Sequence, residues 1–235
     1  MTQEDRAAQF MGKDAMGLEE TKGKPPPSED AVREEYFRTF SGMALVIGPF
    51  MASTLYFAVT TVFPAEQDMI ASKLKLIAQF ELQYVYMGYY IIFWTRLYAV
   101  INSNAARAPA RLGRPNQHVY QIMDASGPYS KAPYVLMVDD KGPIGRFNRA
   151  QRACFNLDEQ LPLFLAGFLL QSFVFGKLSL IIPIAFFVGG IRFCNLYKVS
   201  ADTRGGGFIY VIFAYHANAA LVLLAVALMY YKKQK

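Results

Sequence analysis

Between Phe40 and Phe63 the chain runs for 24 residues without a charged side chain. At about 1.5 Å per residue such a run spans the roughly 30 Å hydrocarbon core of a bilayer. In lipid the backbone must satisfy its own hydrogen bonds, so a segment of this kind has to be helical. Composition extends the argument to the whole chain. Hydrophobic residues make up 54% and charged residues 18% of the 235, against roughly 25% charged in an average soluble domain. Disordered, collagen-like and coiled-coil chains are excluded by that balance. Two cysteines cannot build a disulfide framework or a four-cysteine zinc site. The net charge of +6 leaves nucleic acid, anionic lipid or a small anionic molecule as partners.

The expected fold class is all-α, a polytopic membrane helix bundle. Residues 1–38 are polar, interrupted by Pro25, Pro26 and Pro27, and read as a flexible tail without the basic start and apolar stretch of a signal peptide. Residues 39–64 form the first predicted transmembrane helix. A second is predicted from about Leu76 to Asn102, where Glu81 and Arg96 must snorkel or face other protein. A long basic loop follows, residues 103–146, rich in Gly and Pro and expected to be mostly irregular. The third helix is predicted over Phe147–Phe175, with a tight turn at Gly176-Lys177. The fourth covers Leu178 to about Val199, with Pro183 inside it, and the fifth Phe208–Tyr231, after a break at Gly205, Gly206 and Gly207. Five spans put the tail and the loops 103–146 and 200–206 on one face, which their basic residues assign to the cytosol. The terminal lysines, Lys232, Lys233 and Lys235, then fall on the far side as helix-end snorkels. A dilysine retrieval signal would need them on the cytosolic face instead.

Within the third helix Arg149, Arg152, Asn156 and Glu159 recur at i, i+3, i+7 and i+10, one helix face at about 100° per residue. Two arginines, an amide and a carboxylate are expensive at the mouth of a membrane helix unless they meet partners. Two readings are open. Arg152 and Glu159 pair with adjacent helices and hold the bundle together, or the stripe is a pocket for a zwitterionic ligand. In the second case the arginines clamp carboxylates, Glu159 accepts from an ammonium, and Asn156 serves either. Pro162 removes a backbone hydrogen bond and bends the helix.

The stretch Arg149, Arg152, Ala153, Asn156, Glu159, Pro162, Phe164 resembles the signature of the MAPEG superfamily, membrane-associated proteins in eicosanoid and glutathione metabolism. A second element resembling the family follows at the end of the next helix as Phe193, Tyr197, Ser200, Ala201 and Arg204. The resemblance implies a four-helix protomer over residues 72–235, carrying one extra N-terminal transmembrane helix. It implies a homotrimer that binds glutathione in clefts between copies near the cytosolic face. By position, Arg152, Asn156 and Glu159 would hold the tripeptide, Arg149 and Tyr197 would line the cleft, and Arg204 would stabilise the thiolate. A guanidinium favours the anion of a thiol whose ordinary pKa is about 8.5; outside the motif Arg204 reads as a basic helix flank. An arginine from the neighbouring copy is also expected, with Arg107 the nearest match and Arg96 or Arg111 as alternatives. The chain departs from the family pattern at Cys154, where His or Gln is common, and at Gln160 and Phe193, where Tyr is common. Its 103–146 loop is also longer than usual.

Other residues carry less. His216 lies inside the last helix and is expected to bond a neighbouring helix; His118 has no partner at metal-ligand spacing. Two histidines give no zinc or haem site, so no metal is expected. Cys154 and Cys194 read as small core residues, with Cys154 open to modification by electrophiles as the alternative. Asp139-Asp140 reads as a solvated turn. Gly205–Gly207 lacks the context of a phosphate loop, and the scattered basic residues do not fit nucleic acid. No inverted repeat points to a transporter. The expected partners are therefore the lipid bilayer, glutathione as co-substrate and a lipophilic small molecule. The expected activity is glutathione transfer to lipophilic electrophiles or reduction of lipid hydroperoxides, in the endoplasmic reticulum or another organelle membrane. The competing expectation is a non-catalytic structural or lipid-binding subunit of a larger membrane complex.

Overall fold

The structure, a computed structural model, describes residues 27–110, 120–124, 134–138 and 142–233. Helix α1 (Glu29–Gly42) opens where the Ser28 hydroxyl accepts from the Ala31 N–H at 3.2 Å, with Glu29 and Asp30 in its first turn. A capping hydroxyl and early acids are what a helix N-terminus favours. The helix passes through a π-helical turn, Met43–Ile47, in which the Gly48 N–H reaches the Met43 carbonyl, and continues as α2 (Gly48–Val62). Pro49 has no N–H to offer the preceding turn, and the shifted register accommodates it. Phe63 leaves the helix at φ −126° and ψ 80°, as the residue before a proline tends to. Pro64 then starts α3 (Pro64–Gln79).

The backbone breaks at Phe80–Leu82, with Glu81 in the left-handed region at φ 56°, and α4 (Gln83–Arg107) begins. Strands β1 (Tyr120–Asp124) and β2 (Tyr134–Val138) pair antiparallel, Tyr120 opposite Val138 and Asp124 opposite Tyr134. Helix α5 (Gly142–Phe175) carries Pro162 within it. A 3-10 turn, Gly176–Leu180, leads into α6 (Ile181–Val199), and a second, Asp202–Arg204, into α7 (Gly205–Lys233).

Helices α4 to α7 pack on one another. Their shared core includes Ile92, Ala99, Leu157, Phe164, Phe168, Phe186, Phe193 and Val211, with the Phe164 and Phe186 rings stacked at 4.3 Å. Between apolar helices in lipid, close van der Waals fit replaces hydrophobic collapse as the driving force, and small residues permit it. A Cβ on Gly207 would lie 2.2 Å from the Phe193 nitrogen, and one on Gly88 would lie 2.1 Å from the Phe168 ring. A larger residue at Gly207 forces the backbones of α6 and α7 apart, and one at Gly88 displaces the Phe168 ring.

The chain is predominantly helical. Three helical segments are long and apolar enough to cross a membrane: Glu29–Val62, Gly142–Val199, which holds both α5 and α6, and Asp202–Lys233. Helix α4 is not among them, because Arg96 and its polar end lower its hydropathy. Several boundaries differ from the sequence expectation. Residues 29–38, expected as tail with only Glu34–Arg38 as a short amphipathic lead into the membrane, are helical throughout. The helix expected from Leu76 is divided between α3 and α4 at Glu81. The 103–146 loop gives up both ends to α4 and α5 and contains a hairpin where irregular chain was expected. Gly205–Gly207, expected to break the chain, opens α7, and at Gly207 the lack of a side chain lets α7 approach the α6 backbone. The expected tail segment 1–26, His118, Arg111, Asp139-Asp140 and Lys235 lie outside the described residues.

Candidate functional site

The stripe on α5 turns outward. Arg152 Nη1 donates to Glu159 Oε1 at 3.2 Å, and both side chains are more than half exposed, at 54% and 60%. The two residues therefore pair with each other rather than with adjacent helices. Asn156, between them, is half-buried. Arg149 Nε donates to the Lys198 carbonyl at 3.2 Å, where a cation suits the unpaired carbonyls and negative dipole end of α6. One residue away, Tyr197 is buried against Phe193, ring centroids 5.4 Å apart. The Arg204 guanidinium lies over the Tyr197 ring, 5.6 Å from its centroid, a cation–π distance. Arg149, Tyr197 and Arg204 thus meet where α6 ends, and Arg152 and Glu159 continue from there along α5.

Arg107 is directed elsewhere within the chain: its Nη2 donates to the Tyr36 hydroxyl of α1 at 3.0 Å. Arg96 Nε pairs with Asp158 of α5, and its Nη1 lies 3.4 Å from Cys154 Sγ. This satisfies the requirement that Arg96 face protein. Periodicity does not single out Asp158, because it sits about 100° off the stripe. Cys154 and Cys194 are buried free thiols. His216 Nδ1 meets the Ile212 carbonyl at 2.9 Å, one turn back on its own helix rather than on a neighbour.

The residues that sequence reasoning missed form a charge cluster at this same end of the bundle, with buried Lys198 and nearly buried Glu29 at its centre and Arg146 and Arg33 at its partly exposed edge. Lys198 Nζ donates to Glu29 Oε1 at 2.5 Å and to Asn102 Oδ1 at 2.6 Å. Arg146 Nε donates to Glu29 Oε2 at 2.5 Å, and Arg33 Nη1 stands 3.6 Å from Glu29 Oε1. Asn102 Nδ2 in turn donates to the Cys194 carbonyl at 3.3 Å. Lys198 is 4% exposed, a burial lysine tolerates only when its charge is matched. Helices α1, α4, α5 and α6 all contribute to the central Glu29–Lys198 contact and its flanks. The only sequence signal is a lysine in the last turn of an apolar helix.

No family model matches the chain, and no curated protein matches it in sequence. Chemically, the arrangement offers an outward cation, amide and carboxylate along α5. At its end is an arginine seated on a buried tyrosine.

Proposed function

We propose that the chain is a MAPEG-like, multi-pass membrane protein of the endoplasmic reticulum or another organelle. On this reading it binds glutathione and uses the thiolate on lipophilic electrophiles or lipid hydroperoxides. The observation that carries the reading is the outward Arg152–Glu159 pair, continuous at the end of α6 with Arg204 over Tyr197. Glutathione presents two carboxylates, an ammonium and a thiol. Its carboxylates would exchange for Glu159 on Arg152, and its ammonium would take the Glu159 carboxylate, so each charge stays paired through binding. Asn156 supplies an amide between them. Arg204 favours the thiolate, which attacks the electrophilic carbon; the sulfur–carbon bond forms as the carbon–halogen bond of an aryl halide breaks, and halide leaves with the electron pair. Two glutathione molecules would likewise reduce a hydroperoxide to an alcohol and water, leaving the disulfide.

The stripe faces out from the chain, so a neighbouring copy would supply the other wall of the cleft, in line with a homotrimer. The four-helix protomer would be α4 to α7, and α1–α2 the added helix. Arg107, held by Tyr36 within the chain, would contribute across such an interface only by exchanging that contact. In the plainest test, turnover of a generic aryl halide with glutathione falls by about 10²-fold or more in Arg204→Ala, the scale of losing one charge-stabilising donor. Unchanged turnover removes Arg204 from the chemistry.

A second reading is favoured by α2, whose apolar side chains are exposed along its length. A subunit of a larger membrane complex would use such a helix as its contact. On that reading the purified chain binds no glutathione, and it assembles only with other subunits.

A further inference from the structure

Helix α6 carries a charge that nothing in the fold or the proposed chemistry uses. Arg192 lies exposed on one face of α6, which with Phe187, Val188, Ile191, Asn195 and Leu196 forms the floor of a shallow, open groove of about 570 Å³. Among the described residues its guanidinium has no hydrogen bond, ion pair or ring contact. An unpaired guanidinium beside an apolar groove of a membrane helix is costly until an anion meets it. One turn further along the same face, Asn195 Oδ1 is occupied by the Tyr98 hydroxyl at 2.8 Å. Asn195 also lines the groove, and its Nδ2 is a donor that this contact does not use. The polar side of the groove therefore consists of donors, and the rest is hydrocarbon.

The depth fits a lipid. Helix α6 has 19 residues, about 28 Å at 1.5 Å each, close to the hydrocarbon thickness. Arg192 would sit about 10 Å inside its end, seven residues from Val199. Its Nε lies 3.9 Å from where a Cβ on Gly206 would be, so the side chain is level with the start of α7. Gly206 is in the first turn of α7, beside the loop 200–206. The charge thus lies at the level where α7 begins, within reach of headgroups, while Val188 and Phe187 lie deeper along α6. The loop face at this end is the one that basic residues assign to the cytosol, where anionic phospholipids concentrate.

We propose that this groove binds one anionic phospholipid, its phosphate held by Arg192 and Asn195 and an acyl chain lying along Ile191, Val188 and Phe187. The site is separate from the stripe on α5 and does not depend on glutathione chemistry.

The test places the full chain in nanodiscs of phosphatidylcholine and phosphatidylserine in equal amounts. The lipid that stays bound after transfer to detergent is then counted by native mass spectrometry. Wild type retains phosphatidylserine in preference to phosphatidylcholine, and Arg192→Gln loses about fivefold of that preference, the scale of one cation near a membrane surface. Arg192→Lys keeps most of it, and Lys177→Gln, at the other end of α6, leaves it unchanged. A photoreactive phosphatidic acid on the wild-type chain labels residues 187–196, which tests the site without relying on a variant that folds. Equal retention of both lipids by wild type, or labelling confined to other helices, overturns the proposal. So does an Arg192→Gln chain whose lipid content is unchanged but whose oligomer dissociates, which would make the groove a contact between copies.

Discussion

Helices α1 and α2 are one continuous stretch, yet they are held in opposite ways. The α1 half meets the bundle through polar groups. Glu29 is gripped by Lys198 and Arg146, Tyr36 accepts from Arg107, and the Phe37 and Trp94 rings lie 6.4 Å apart. The α2 half is apolar, and its large side chains are exposed: Phe50 at 71%, Leu55 at 66% and Phe57 at 65%. The π-helical turn at Met43–Ile47 separates the two. The contrast teaches that hydrophobicity and packing are different quantities in a membrane chain. An apolar helix already has a good solvent in lipid and gains little by docking, whereas a charged group near the membrane must find its complement in the protein.

The largest effect should come from cutting the polar half. Replacing Glu29 by Leu leaves Lys198 buried with its main partner gone, a loss on the order of 3–5 kcal/mol. In detergent this appears as a lower thermal midpoint and as protease cleavage between α1 and the bundle. Adding Lys198→Met should restore most of the loss, because an apolar pair in place of a buried ion pair is often neutral. If Glu29→Leu were as stable as wild type, the cluster would not be what fastens α1.

The smallest effect belongs to the other half. Phe50→Ala on α2 should change the stability of the purified chain by no more than about 0.5 kcal/mol, as for a surface position. A drop of several kcal/mol would mean that α2 packs on protein in the purified chain, on its own bundle or on a second copy.

The same contrast between local and long-range support decides which elements the sequence makes legible. Helices α5, α6 and α7 can be read within a few residues, because long charge-free runs bounded by polar residues are a local signal. The start of α1 at Glu29 has a local signal in the Ser28 cap, but its docking has none, since that rests on Arg146 and Lys198, 117 and 169 positions away. The left-handed residue that divides α3 from α4 is a glutamate, which carries no turn signature of its own. In the candidate site, periodicity places Arg149, Arg152, Asn156 and Glu159 on one face, and the structure keeps them there. Periodicity cannot say that Arg152 finds Glu159, that Arg107 turns to Tyr36, or that Asp158 answers Arg96. The last two depend on which helices are neighbours, and the first on no neighbour claiming either partner. Spacing along a single helix contains neither fact.

The proposed function rests on the outward pair, and equilibrium binding of glutathione to the purified chain tests it most directly. Isothermal titration should give saturable binding to wild type. The double variant Arg152→Gln/Glu159→Gln should weaken it by at least tenfold, since both charged contacts are lost, at about 1.4 kcal/mol for each factor of ten. Its own stability should change little, because an exposed ion pair contributes about 0–1 kcal/mol. No binding to wild type, or equal binding to the double variant, would contradict glutathione recognition by this pair.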